Sequence, residues 1–168
     1  PHSPSGDLPG RSGNAGAGAG GRGTGEDPGA RGDVSFTLVW KYDVNVQGRD
    51  RRGGPDVDIW ILDPLGGRIS TSTDVLERTP EGGKADFDDR GAHGNGDGGG
   101  PERVFWPDGK APAGKYIYGV RWYQGVGSAR FTLRVYQGDK LVDTKTGLLR
   151  STDKGKNIKI GDIINGSG

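Results

Sequence analysis

Hydrophobic residues occupy every second position over a long stretch near the start of the apolar part of the chain. The alternating residues are Val34, Phe36, Leu38, Trp40, Tyr42, Val44 and Val46. A period of two places successive side chains on opposite faces of a β-strand, so one face is apolar and can be buried. This stretch therefore predicts a long, half-buried strand, which needs a sheet and a second layer to cover its apolar face.

Further alternating segments follow, separated by turns rich in Gly and Pro. They lie at 57–62, 68–73, 103–106, 115–124 and 129–137, with shorter ones near residues 141, 148 and 158–160. No segment has a convincing helical period. Many short strands linked by such turns are typical of an antiparallel β-sandwich, with a jelly-roll or immunoglobulin-like topology and about eight strands. A barrel is the alternative.

The N-terminal residues differ in composition from the rest of the chain. Residues 1–32 contain 11 of the 35 glycines and no aromatic residue. Such a segment buries too little apolar surface to offset the entropy of ordering it. We therefore predict a disordered, flexible Gly-rich linker at 1–32 and a β-sandwich domain at 33–168. The composition also predicts that removing the linker leaves the stability of the domain unchanged.

Acidic residues are concentrated in the middle of the chain. Residues 56–102 contain 11 acidic and 4 basic residues, a balance of −7, whereas the whole chain carries +1. Such a concentration is costly unless it is solvated or neutralised by a cation. The near-neutral total gives no indication of nucleic-acid binding, and the apolar runs are too short for a membrane-spanning helix. With no Cys in the chain, thiolate and disulfide chemistry are excluded.

The acidic region predicts a calcium site. Asp86 and Asp88 lie on a Gly-rich segment with Glu102 shortly after it, and Asp58 lies on a preceding strand. Calcium takes six to eight oxygen ligands in irregular geometry, which a flexible loop of carboxylates can supply. For Asp56, two residues before Asp58, the pattern slightly favours solvent exposure. The alternative for the whole loop is a solvated acidic surface.

Two other functions are considered from the sequence. Trp60 and Tyr123 are out of phase with their apolar neighbours, so they are candidates for an exposed platform that binds carbohydrate, although a strand buried on both faces would also explain them. A hydrolase would need two carboxyl groups at a fixed separation, which a Gly-rich loop does not supply. No catalytic residues are predicted.

Four blocks in order resemble the bacterial YfaP-like family, a β-sandwich domain of unknown function. They are Asp-Val-Asp-Ile-Trp-Ile-Leu-Asp-Pro-Leu-Gly at 56–66, Gly-Gly-Lys-Ala-Asp-Phe-Asp-Asp at 82–89, Gly-Pro-Glu-Arg-Val-Phe-Trp at 100–106 and Ala-Pro-Ala-Gly-Lys-Tyr at 111–116. Trp60 stands where that family usually has His. The resemblance implies an exported module, extracellular or periplasmic, attached to larger proteins and without established catalysis.

The resemblance also favours a cation site at Asp58, Asp86, Asp88 and Glu102, because two separate blocks keep their carboxylates. Taken together, the sequence predicts a non-enzymatic, exported accessory or binding module that is stabilised by calcium. Its partner would be a protein or a carbohydrate, and the module would be part of a larger chain or assembly.

Overall fold

The computed structural model describes residues 26–42, 55–71, 82–87, 98–125 and 127–166. Nearly all regular structure in these ranges is strand. The strands are β1 Val34–Tyr42, β2 Asp56–Leu62, β3 Arg68–Ser70, β4 Lys84–Phe87, β5 Gly98–Trp106, β6 Gly114–Gln124, β7 Ser128–Gln137, β8 Lys140–Arg150 and β9 Asn157–Asn165. One turn of 3-10 helix, Ser151–Asp153, connects β8 to β9.

The strands form two antiparallel sheets. The five-stranded sheet has the order β4-β5-β1-β7-β8, and the four-stranded sheet has the order β3-β2-β6-β9. The predicted all-β sandwich is confirmed, with nine strands in the described residues where about eight were expected. The two predicted segments near residues 141 and 148 belong to one strand, β8. Part of the predicted acidic loop is also strand, because β4 and the start of β5 lie within it.

The core lies between the two sheets and follows the alternation seen in the sequence. On β1, Phe36 and Leu38 are fully buried, as are Tyr116, Tyr118 and Trp122 on β6. Phe36 meets Tyr118 of the other sheet, with ring centroids 5.3 Å apart, and packs beside Trp106 of its own sheet at 6.3 Å. The apolar face of β1 is therefore covered by the second sheet, as its period predicted.

A hydrogen bond between two side chains also joins the sheets. The Tyr118 hydroxyl on β6 donates to the Asp143 carboxylate on β8. Burial raises the pKa of Tyr118 above its ordinary value of 10.0, and the hydrogen bond and charge of Asp143 raise it further. Tyr118 therefore remains a neutral donor at physiological pH, which this contact between the sheets requires.

Residues 26–32, called the strap below, lie against the outer face of the five-stranded sheet. The Arg31 backbone N–H donates to Ser35 Oγ at 3.1 Å, and the Arg31 guanidinium lies 4.3 Å from the centroid of the Phe105 ring. Arg103 Nη1 donates to the carbonyl of Pro28 at 3.3 Å. Ser35, Phe105 and Arg103 are all buried. The strap therefore packs on residues of β1 and β5.

Asp27 attaches the first part of the strap to β7. Its carboxylate accepts hydrogen bonds from the Tyr136 hydroxyl and from Gly29 N, and lies 3.5 Å from Arg134 Nη1. Burial alone would raise the pKa of Asp27, but the hydrogen bonds from Tyr136, Gly29 and Thr37 together with the Arg134 charge lower it below its ordinary 3.8. Burial and the bond to Asp27 raise the pKa of Tyr136 to about 12.

The strap is the last part of the predicted linker at 1–32. Residues 1–25 lie outside the described residues, whereas residues 26–32 make the contacts given above. Gly32 has a φ of +67°, and a side chain there would overlap the backbone carbonyl of Trp106. The segment from Gly32 onward approaches β5 so closely that only glycine fits at this position.

Candidate metal centre

Three carboxylates from the two sheets meet inside the protein. Asp56 and Asp58 come from β2 and Glu102 comes from β5, and one oxygen of each lies within 4.8 Å of an oxygen of the others. The exposed fractions of these residues are 4%, 2% and 0%. The group could therefore hold a metal ion, and both sheets contribute ligands to it.

Beyond the end of β3, Thr71 and Glu102 bind the edge of β2 beside this cluster. β3 pairs with Trp60, Ile61 and Leu62 of β2, so the adjoining edge of β2 at Ile59 needs other partners. Ile59 N donates to Thr71 Oγ1 at 3.1 Å and to Glu102 Oε2 at 3.0 Å. The Thr71 hydroxyl also donates to Glu102. Glu102 thus connects β5 of one sheet to the edge of β2 in the other.

The glycines before Glu102 let its strand approach β1. A side chain at Gly99 would overlap the Trp40 ring, and Gly100 has a φ of +93° with its backbone close to Leu38. The pairing of β1 with β5 is irregular at this point, between Leu38 and Trp40. The peptide bond between Gly100 and Pro101 is cis. Other residue types at these positions would move β5, and Glu102 with it, away from β1.

Like charges at this separation repel one another strongly. Two unit charges 4.8 Å apart interact by about 3.5 kcal/mol at an effective dielectric constant of 20. The cluster contains three such pairs of carboxylates, and burial removes much of the water that would screen them. Hydrogen bonds, protons or a cation must therefore compensate part of the negative charge when the domain is folded.

The structure brings together two of the four predicted ligands. Asp58 and Glu102 lie in the cluster, whereas Asp88 lies outside the described residues. Asp56 is also in the cluster, so the interpretation that it faces solvent is wrong. The spacing of Asp56 and Asp58 on one strand was the available signal. Whether this spacing indicates a buried cluster or an exposed edge depends on which strand of the other sheet lies beside β2.

Asp86, the remaining predicted ligand, binds arginines in the described structure. Its carboxylate lies 2.5 Å from Arg103 Nη2 and 2.5 Å from Arg31 Nη1, and Arg103 Nε also donates to it at 2.9 Å. The Arg103 guanidinium is 4.9 Å from the centroid of Phe87 and 5.9 Å from that of Phe105. Asp86 is not in the carboxylate cluster, and its side chain neutralises a nearly buried arginine.

We expect Asp86→Asn to destabilise the protein without changing its response to metal. The side chain of Arg103 is only 9% exposed, so losing its carboxylate partner should cost about 2 kcal/mol. Urea denaturation with and without calcium measures both effects. Asp162→Asn is the matched control, because its ion pair with Lys159 is exposed and should contribute little. Loss of the calcium response in Asp86→Asn but not in Asp162→Asn would show that Asp86 is a metal ligand.

The predicted exposed aromatic pair is not formed. Tyr123 is 46% exposed, but Trp60 is only 7% exposed. The Trp60 ring lies on Gly119, where a side chain would overlap it, and its Nε1 donates to the Val120 carbonyl at 3.2 Å. The expectation that Trp60 is exposed is therefore wrong, and the alternative that β2 is buried on both faces explains its phase.

Comparisons of the chain with protein-family models, curated proteins and solved structures find no match. The resemblance to the YfaP-like family remains a prediction. Among the described residues, no helix is long and apolar enough to cross a membrane.

Proposed function

We propose that the protein is a non-catalytic β-sandwich module whose two sheets are held together by a bound calcium ion. The observation that carries this proposal is the convergence of three buried carboxylates, two from β2 and one from β5. In this position a cation would offset the repulsion between them and join the two sheets. The proposal keeps the predicted ion but takes Asp56, Asp58 and Glu102 as its ligands. Asp86 binds arginines instead, and Asp88 lies outside the described residues.

The donor atoms favour calcium among the common metals. All three candidate ligands are carboxylates, and each offers one oxygen to a common position. Zinc and copper prefer nitrogen and sulfur ligands, and the chain has no Cys and only two His residues, His2 and His93. Magnesium requires near-ideal octahedral geometry and usually keeps several waters. A buried group with three carboxylates suits the larger, more weakly hydrated ion.

An accessory role agrees better with this cluster than a hydrolase does. Glycosidases hold two carboxyl groups about 5 to 9.5 Å apart on either side of a bond that substrate brings in from solvent. Here the oxygens are within 4.8 Å and the three residues are at most 4% exposed, so a substrate has little access to them. The burial of Trp60 argues against an exposed aromatic platform that binds carbohydrate.

Export, to the periplasm or outside the cell, and attachment to a larger assembly remain parts of the proposal. Calcium sites in extracellular modules work at dissociation constants of about 0.1 to 1 mM, because calcium is abundant there. A site with three carboxylates is suited to that range. The partner would be another protein or a carbohydrate, and the calcium ion would stabilise the domain that presents the binding surface.

Calorimetric titration of the full chain, after treatment with a chelator, tests the proposal. We expect one saturable binding event for calcium with a dissociation constant below about 1 mM and weaker binding of magnesium. Asp58→Asn should abolish the event, whereas Asp162→Asn, at an exposed site, should keep it. Absence of calcium binding to folded protein at millimolar concentrations would refute the proposal, as would unchanged binding to Asp58→Asn.

A further inference from the structure

A second site, separate from the carboxylate cluster, lies where the strap meets β4 and β5. It is a cavity of about 390 Å³ whose lining includes Arg31, Lys84, Asp86, Phe105 and Asp108. The strap, β4, β5 and the turn that follows β5 all contribute to the lining. The volume lies within the range of small-ligand sites.

The charges around this cavity are not balanced. Asp86 is shared by two guanidinium groups, those of Arg31 and Arg103, so one negative charge serves two positive ones. Lys84 adds another positive charge and Asp108 another negative one at the lining. The four charged lining groups sum to zero, and Arg103, which binds Asp86 from outside the lining, brings the five groups to a net charge of +1 when all are ionised. The excess positive charge favours an anion.

Arg31 is held in place before any ligand arrives. Its backbone is fixed by Ser35, its guanidinium stacks on Phe105 at 4.3 Å, and Nη1 binds Asp86. A guanidinium has five N–H donors, and the Arg31 side chain is still 53% exposed. Its remaining donors can therefore bind a ligand without first losing conformational freedom, which is the usual entropic cost for a long side chain.

We propose that this cavity binds an oxyanion, the carboxylate or phosphate group of a small ligand, between Arg31 and Lys84. Arg31 would contribute planar N–H donors and Lys84 a mobile ammonium, the two cationic groups that proteins use for such anions. Asp86 holds Arg31 in place from the side of β4. The strap is part of the site, because it supplies Arg31.

Nuclear magnetic resonance titration of the full chain tests this site with two probes, inorganic phosphate and succinate, at constant ionic strength. We expect at least one probe to shift the amide signals of Arg31, Lys84 and Asp108 saturably, with a dissociation constant below about 20 mM. Saturation by phosphate alone would identify a phosphate ligand, and saturation by succinate alone would identify a carboxylate. Saturation by both would indicate a general oxyanion site.

Lys84→Gln should weaken the binding about five- to tenfold, the effect of one lost charged contact. Lys115→Gln is the matched control, because Lys115 is an exposed lysine on β6 that does not line the cavity. The proposal is overturned if neither probe saturates, if the shifts are spread over surface lysines instead, or if Lys84→Gln binds as tightly as the unchanged protein.

Discussion

Calcium should raise the melting temperature of the chelator-treated protein by about 5 to 10 °C when it is present at about 100 times its dissociation constant. A ligand that binds only the folded state at this excess adds about 2.7 kcal/mol of stability. For a chain of 168 residues, each 1 kcal/mol corresponds to about 2 to 4 °C. Differential scanning calorimetry with calcium and with chelator measures the shift.

Glu102→Gln should remove this calcium-dependent increase. Glutamine has nearly the same shape, and its side-chain oxygen can still accept the hydrogen bonds from Ile59 N and the Thr71 hydroxyl. The calcium-free melt should therefore be unchanged or slightly higher, because one of the three mutually repelling charges is gone. A general loss of fold would lower both melts, so the two measurements separate a lost ligand from a damaged core.

Asp86→Asn is the control for this experiment, since Asp86 binds arginines away from the cluster. It should lower both melts and keep the full difference between them. If Glu102→Gln retained the calcium-dependent rise, the carboxylate cluster would not be the calcium site, whatever the chain as a whole binds.

Removing the strap should destabilise the domain by about 3 kcal/mol. The comparison is between a chain that begins at residue 26 and one that begins at Asp33. Without residues 26–32, the Phe105 ring loses the stacked guanidinium of Arg31, and Arg103 loses its hydrogen bonds to Pro28 and Gly29. Exposing a Phe side chain costs about 1.5 to 3 kcal/mol, and each hydrogen bond contributes about 1 kcal/mol.

The composition of residues 1–32 predicts the opposite result, namely no loss of stability. Chemical denaturation of the two chains decides between these expectations. Equal midpoints would mean that the contacts of the strap contribute nothing in solution, and that the whole segment behaves as a linker.

Asp27→Asn provides a version of this test without truncation. Because the pKa of Asp27 is lowered in the folded protein, the ionised carboxylate stabilises the folded state at pH values above its unfolded pKa of 3.8. This contribution is lost as pH falls through the lower folded value. The stability difference between the unchanged protein and Asp27→Asn should thus be constant from neutral pH to about pH 5 and shrink below about pH 4. A difference that is independent of pH would show that the carboxylate charge is not what holds the strap.

The sequence by itself determined the class of fold and the faces of several strands. The alternating apolar residues from Val34 to Trp40 and from Tyr116 to Trp122 are all buried. These assignments were possible because side-chain direction in a strand depends on local backbone geometry, which has a period of two whatever the neighbouring strands are. The sequence did not predict that Ser35 and Thr37, on the opposite face of β1, are buried as well. The concentration of acidic residues also indicated that the folded protein must solvate or neutralise a local excess of negative charge.

Which carboxylates meet was decided only by the tertiary structure. Asp58 and Glu102 belong to different sheets, and their proximity follows from the packing of those sheets, in which Glu102 binds Ile59 N of β2. The glycines before Glu102 let β5 approach Trp40. The sequence also did not indicate that the pairing of β4 with β5, irregular between Ala85 and Phe87, places Asp86 beside Arg103. The packing of Trp60 and of the strap could not be predicted for the same reason. Both pack on surfaces contributed by distant parts of the chain, and the local sequence period does not indicate where those surfaces lie.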